Sequence, residues 1–117
     1  MESNQEVAIF LENEGEVDVN SKDKFGRTPL SQAASNGNAA IVQMLLDTGK
    51  VDVDSKDWDA RTPLWWAARN GNEVVVKLLL DTGKTVDVDW KDEDSRTPLS
   101  WAAGSGREAI VRLLLRR

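Results

Sequence analysis

Apolar residues return along the chain in three dense runs: Ile41-Val42-x-Met44-Leu45-Leu46, Val75-Val76-x-Leu78-Leu79-Leu80 and Ile110-Val111-x-Leu113-Leu114. Positions three and four apart share one side of a helix, so each run predicts an amphipathic helix with a wide apolar stripe. A half-buried strand would alternate residue by residue instead. A shorter apolar patch precedes each run, led by Arg-Thr-Pro-Leu at residues 27–30, 61–64 and 96–99. The threonine hydroxyl can cap a first helical turn, and proline fits next because its missing N–H has no intrahelical partner there. Leu30, Ala33 and Ala34 then line a short helix, and the paired alanines Ala67-Ala68 and Ala102-Ala103 let neighbours approach closely. Gly37, Gly71 and Gly106 end it in the left-handed conformation that glycine adopts easily. Asn38 and Asn72 stand where they can cap the second helix, which Thr48-Gly49 and Thr82-Gly83 stop.

The Arg-Thr-Pro-Leu copies lie 34 and 35 residues apart, and residues 57–81 match 92–116 at 15 of 25 positions. A unit of this length cannot bury its own apolar face, so copies must stack into an elongated array. The stretches 51–57 and 86–92 read as extended connections ending in a tight turn, with Thr85 as one added residue. A helix–turn–helix with a projecting turn, about 33 residues long and carrying Thr-Pro-Leu-x-x-Ala, resembles the ankyrin repeat. That resemblance covers essentially the whole chain and implies an all-α ankyrin-repeat solenoid. In residues 5–13, Val7, Phe10 and Leu11 match a second helix. The expected organisation is one domain over residues 1–117: a half repeat at 5–15, repeats at 16–49 and 50–83, and a truncated repeat at 84–117. Residues 47–57 and 97–103 also resemble the C-terminal arrays of fungal innate-immunity-like receptors.

The chain departs from the family pattern in three ways. The histidine usual after Thr-Pro-Leu is Ser31, Trp65 and Ser100. The turn glycine survives as Gly26 but is replaced by Ala60 and Ser95, whose tips must tolerate strain or turn differently. The third helix pair keeps an interior-like stripe, as an array that continues would show, and exposed apolar area there favours self-association.

Composition removes several function classes. With a net charge of −5 and a pI near 4.7, the chain lacks the basic face that nucleic acid or an anionic membrane surface requires. No apolar run approaches the roughly 20 residues of a membrane span. There is no cysteine and no histidine, and no serine sits in a recognisable nucleophile motif, so a non-enzymatic chain without cofactor is expected. Asp52-x-Asp54-x-Lys56 puts a cation where a calcium loop needs an oxygen ligand, so no metal site is expected either. Residues 1–6 have no basic segment ahead of an apolar one, and the expected location is the cytoplasm.

Five tryptophans accompany two phenylalanines and no tyrosine. Trp66 and Trp101 share one repeat slot, which marks a packing role. Trp65 replaces a serine and leaves both packing and partner contact open. Trp58 aligns with Lys24 and Glu93 at a turn tip, a solvent position where an aromatic suits a partner anchor. Its truncation is expected to leave stability nearly unchanged. Trp90 replaces Ser55. If the resemblance holds, a protein partner binds along the turn tips and the concave face of the first helices. With Trp65 and Trp90, which the repeats do not share, the candidate contact residues are Lys24, Phe25, Trp58, Asp59, Trp65, Arg69, Asn70, Trp90, Glu93 and Asp94. Arg27, Arg61 and Arg96 form a candidate structural ladder with Asp23, Asp57 and Asp92. The function expected is a non-catalytic protein–protein interaction scaffold, which the fungal resemblance implies is a receptor segment; the alternative is a structural or self-associating module.

Overall fold

A computed structural model describes residues 17–83 and 86–116. Among them are six helices and no strand: α1 (Pro29–Asn36), α2 (Ala39–Asp47), α3 (Pro63–Arg69), α4 (Glu73–Leu80), α5 (Pro98–Gly104) and α6 (Glu108–Leu115). They form three pairs, α1–α2, α3–α4 and α5–α6, stacked in chain order. First helices pack on first helices and second helices on second helices. The half repeat expected at 5–15 and the added Thr85 lie outside the described residues.

Each first helix begins as the local chemistry requires. Thr28, Thr62 and Thr97 accept a hydrogen bond from the backbone N–H three residues on, and proline follows each of them. Ser31 and Ser100 complete a capping box, their hydroxyls accepting from the Thr28 and Thr97 N–H groups at 2.9 Å. Trp65 cannot return that bond, so its helix start keeps only half of the motif. Asn38 caps α2 through Ile41 N–H. Asn72 does not cap α4: its amide reaches back to donate to the carbonyls of Ala34 (2.7 Å) and Ser35 (3.1 Å) in the preceding pair.

The core runs between the two helix layers, through Leu30, Val42, Leu64, Val75, Val76, Leu79 and Ile110, all buried. Burying such side chains supplies most of the driving force for stacking.

The projecting turns share one geometry. Asp23, Asp57 and Asp92 each accept a turn bond from the N–H three residues on and donate to the carbonyl of the arginine four residues on. One carboxylate oxygen of each also takes the N–H groups two and four residues on, at 2.8–3.0 Å. The turn needs a left-handed residue next, supplied by Gly26 (φ 79°), Ala60 (φ 62°) and Ser95 (φ 64°). Ala60 and Ser95 therefore keep the geometry and accept its strain, of order 1–2 kcal/mol. Gly26 is required for a second reason. A Cβ there would lie 2.5 Å from Cδ2 of Trp58, whose indole folds back over this turn.

Candidate functional site

Backbone bonds lock successive turn tips together. Trp58 N–H donates to the Phe25 carbonyl and Glu93 N–H to the Asp59 carbonyl, both at 3.1 Å. On this bonded row Phe25 is 52% and Trp58 59% exposed. Cations surround them: Lys22 Nζ lies 5.0 Å from the Trp58 ring centroid, and Lys24 and Arg27 each lie 5.3 Å from that of Phe25. Lys24, Asp59, Glu93 and Asp94 are also exposed.

Trp58 nevertheless has a structural side. Its Nε1 donates to the Lys24 carbonyl at 2.9 Å, tying the second tip to the first. Its truncation therefore removes a bond between repeats, worth about 1 kcal/mol, and is not neutral as the sequence suggested. Trp90 does the same one turn later: half-buried, it donates Nε1 to the Ala60 carbonyl at 2.8 Å and sits 4.2 Å under Lys56 Nζ.

On the first helices the structure settles Trp65 as packing. It is 1% exposed, edge-on to Trp66 at 4.9 Å and to Trp101 at 5.7 Å between centroids. It offers a partner no surface, because Trp66 and Trp101 flank it in a slot that is buried at Ser31 and exposed at Ser100. Trp66 is buried and donates Nε1 to Oδ2 of Asp57 at 3.1 Å. Its counterpart Trp101 is only half-buried. Arg69 is exposed, 5.2 Å from the Trp101 ring centroid. Asn70 was expected to face a partner, but its Nδ2 donates to the carbonyl and hydroxyl of Ser35 at 2.9 and 3.1 Å.

The arginine ladder exists with a different register. Arg27 pairs with Asp57 (3.8 Å) and Arg61 with Asp92 (3.9 Å), each reaching the turn-closing aspartate of the next repeat, and Arg61 also pairs with Asp59 of its own repeat at 3.5 Å. The guanidinium groups also lie over tryptophan rings, Arg27 at 4.5 Å from Trp66 and Arg61 at 4.6 Å from Trp65. Asp23 instead accepts from the Gln32 side chain at 2.8 Å. The Arg27 N–H at Asp23 holds that carboxyl below the usual aspartate range, against the opposing pull of burial. Burial pushes the Asp54 carboxyl up, although the Asp87 N–H bonds to it. Neither the register nor the asparagine bonds could be read from one repeat, because both join residues 30 or more positions apart.

Among the described residues no group of histidine, cysteine, aspartate or glutamate is placed to hold a metal ion. None of their helices is long and apolar enough to cross a membrane. At the tips the surface presents a row of exposed side chains on turns that backbone bonds join.

A family model described as ankyrin repeats (3 copies) matches residues 1–89 and, again, residues 49–117. No curated protein matches the chain in sequence. Ankyrin repeats are in general protein–protein interaction modules. Three stacked helix pairs, three projecting turns and a match across the full length lead to one conclusion: the chain belongs to the ankyrin-repeat family.

Proposed function

We propose that the chain is a non-catalytic scaffold that binds a protein partner along its turn tips and the adjoining concave face of α1, α3 and α5. The observation that carries this reading is the adjacent pair Phe25 and Trp58, exposed on tips that the backbone holds rigidly. A large aromatic held in place contributes contact area at little entropic cost, which is how interface anchors work. The surrounding Lys22, Lys24 and Arg27 favour a partner that brings carboxylates to the first tip, whereas Glu93 and Asp94 favour cations at the third. Orientation of the partner follows from that polarity. The likeness of residues 47–57 and 97–103 to fungal receptor arrays supports a role as the recognition segment of such a receptor.

The test compares proteins retained by immobilised wild-type chain with those retained by Lys24→Glu and by Glu93→Lys, after circular dichroism shows both variants folded. The expected result is a bound protein lost or weakened at least tenfold by one or both substitutions. Retention unchanged by either, but abolished by Gln43→Glu on the outer helix α2, would place binding on the opposite face and refute the proposal.

A further inference from the structure

The outer face of the third helix pair repeats side chains that are covered one pair earlier. Ala68 and Val76 are fully buried beneath α5 and α6, whereas their counterparts Ala103 and Val111 are exposed and half-buried. Leu80 is 3% exposed and its counterpart Leu115 67%. Ala103 and Val111 line a shallow groove edged by Arg107, Glu108 and Arg112. Throughout the array each second helix packs on the second helix of the next pair, and among the described residues α6 has no such partner bearing a second-helix stripe.

The sequence itself contains such a stripe with complementary charge. Residues 1–20 carry Val7, Phe10 and Leu11 at second-helix spacing, six carboxylates and no lysine or arginine. Residues 107–117 carry four arginines against the single Glu108. Opposite charge at the two ends of one chain favours head-to-tail contact and disfavours head-to-head and tail-to-tail contact. We propose that the groove on α5 and α6 binds residues 1–20 of a second copy of this chain. The contact is heterologous, so association continues past the dimer.

Sedimentation velocity of the full chain tests this from about 1 to about 100 μM, the range in which a modest interface titrates. The expected result is a sedimentation coefficient that rises with concentration and falls back in high salt, because the attraction is screened. Arg112, whose side chain is 70% exposed, can be reversed without disturbing the core. Arg112→Glu with Arg116→Glu should abolish the rise, as should Glu12→Lys with Glu14→Lys, and the two pairs combined should restore it. Arg112→Glu with Arg116→Glu mixed with Glu12→Lys with Glu14→Lys should also form a complex that neither forms alone. A monomer at every concentration overturns the proposal. So does a rise that Glu12→Lys with Glu14→Lys leaves unchanged, which would indicate tail-to-tail contact.

Discussion

The second and third helix pairs have closely similar sequences and different surroundings. Both start at Thr-Pro-Leu and both close their turns on an aspartate, so the local fold follows the shared letters. Burial does not. Trp66 bonds to Asp57, but among the described residues Trp101 Nε1 and Asp92 Oδ2, in the equivalent places, have no hydrogen-bond partner. Arg61 reaches the aspartate of the next repeat, and Arg96 meets no such carboxylate among the described residues. In a stack, sequence specifies the unit and position specifies what that unit buries.

The sharpest way to break this comparison is at the slot after Thr-Pro-Leu. Trp65→Ala empties a buried site and should cost about 3–5 kcal/mol, read from denaturant midpoints. Ser100→Ala, in the same slot, removes only a capping bond and should cost about 1 kcal/mol. Similar losses would mean that the two slots do the same work. Next in size are the paired leucines. Leu80→Ala should cost about 2–5 kcal/mol and Leu115→Ala no more than about 0.5 kcal/mol in dilute protein.

The turn residues give a smaller and opposite pair of effects. Ala60→Gly relieves left-handed strain but loosens the unfolded chain, leaving a net gain of about 0.5 kcal/mol. Gly26→Ala should cost at least about 1–2 kcal/mol and expose Trp58, because the new methyl group displaces the indole. Tryptophan fluorescence would report that displacement as a red shift.

Smallest is the contrast between Asn20 and Asp54, equivalent residues that each accept a backbone N–H from the next repeat: Asp52 N–H at 2.8 Å for Asn20 and Asp87 N–H at 3.0 Å for Asp54. Burial holds the Asp54 carboxyl above its ordinary range, with Asp87 and Asp52 adding to the effect and Lys56 opposing it. The folded chain therefore binds that proton more tightly than the unfolded chain, and stability falls as pH rises through the carboxylate range. Asp54→Asn removes this half-buried charge and should raise the denaturant midpoint at neutral pH. Its advantage should vanish below the unfolded aspartate value of about 3.9. A gain that persists at pH 3 would exclude ionisation as its cause.

Most of the fold was legible because helix starts, stops and stripes depend on residues within one turn of each other. Thr28, Pro29 and Gly37 announce their roles without reference to anything distant. For the candidate site, the sequence reading held for exposure at the tips, which follows from position in the turn, as at Lys24, Phe25, Trp58, Asp59, Glu93 and Asp94. It failed where a side chain's role depends on the neighbouring repeat. Trp65 needed Trp101 beside it to be recognised as packing, Asn70 needed Ser35, and Gly26 needed Trp58.

Amide hydrogen exchange on dilute, monomeric protein tests the central claim most directly, because it reads the stability of each helix separately. The account predicts that α3 and α4 are protected by at least about tenfold more than α5 and α6, a difference of about 1.4 kcal/mol, despite their similar sequences. Equal protection of the two pairs would contradict it.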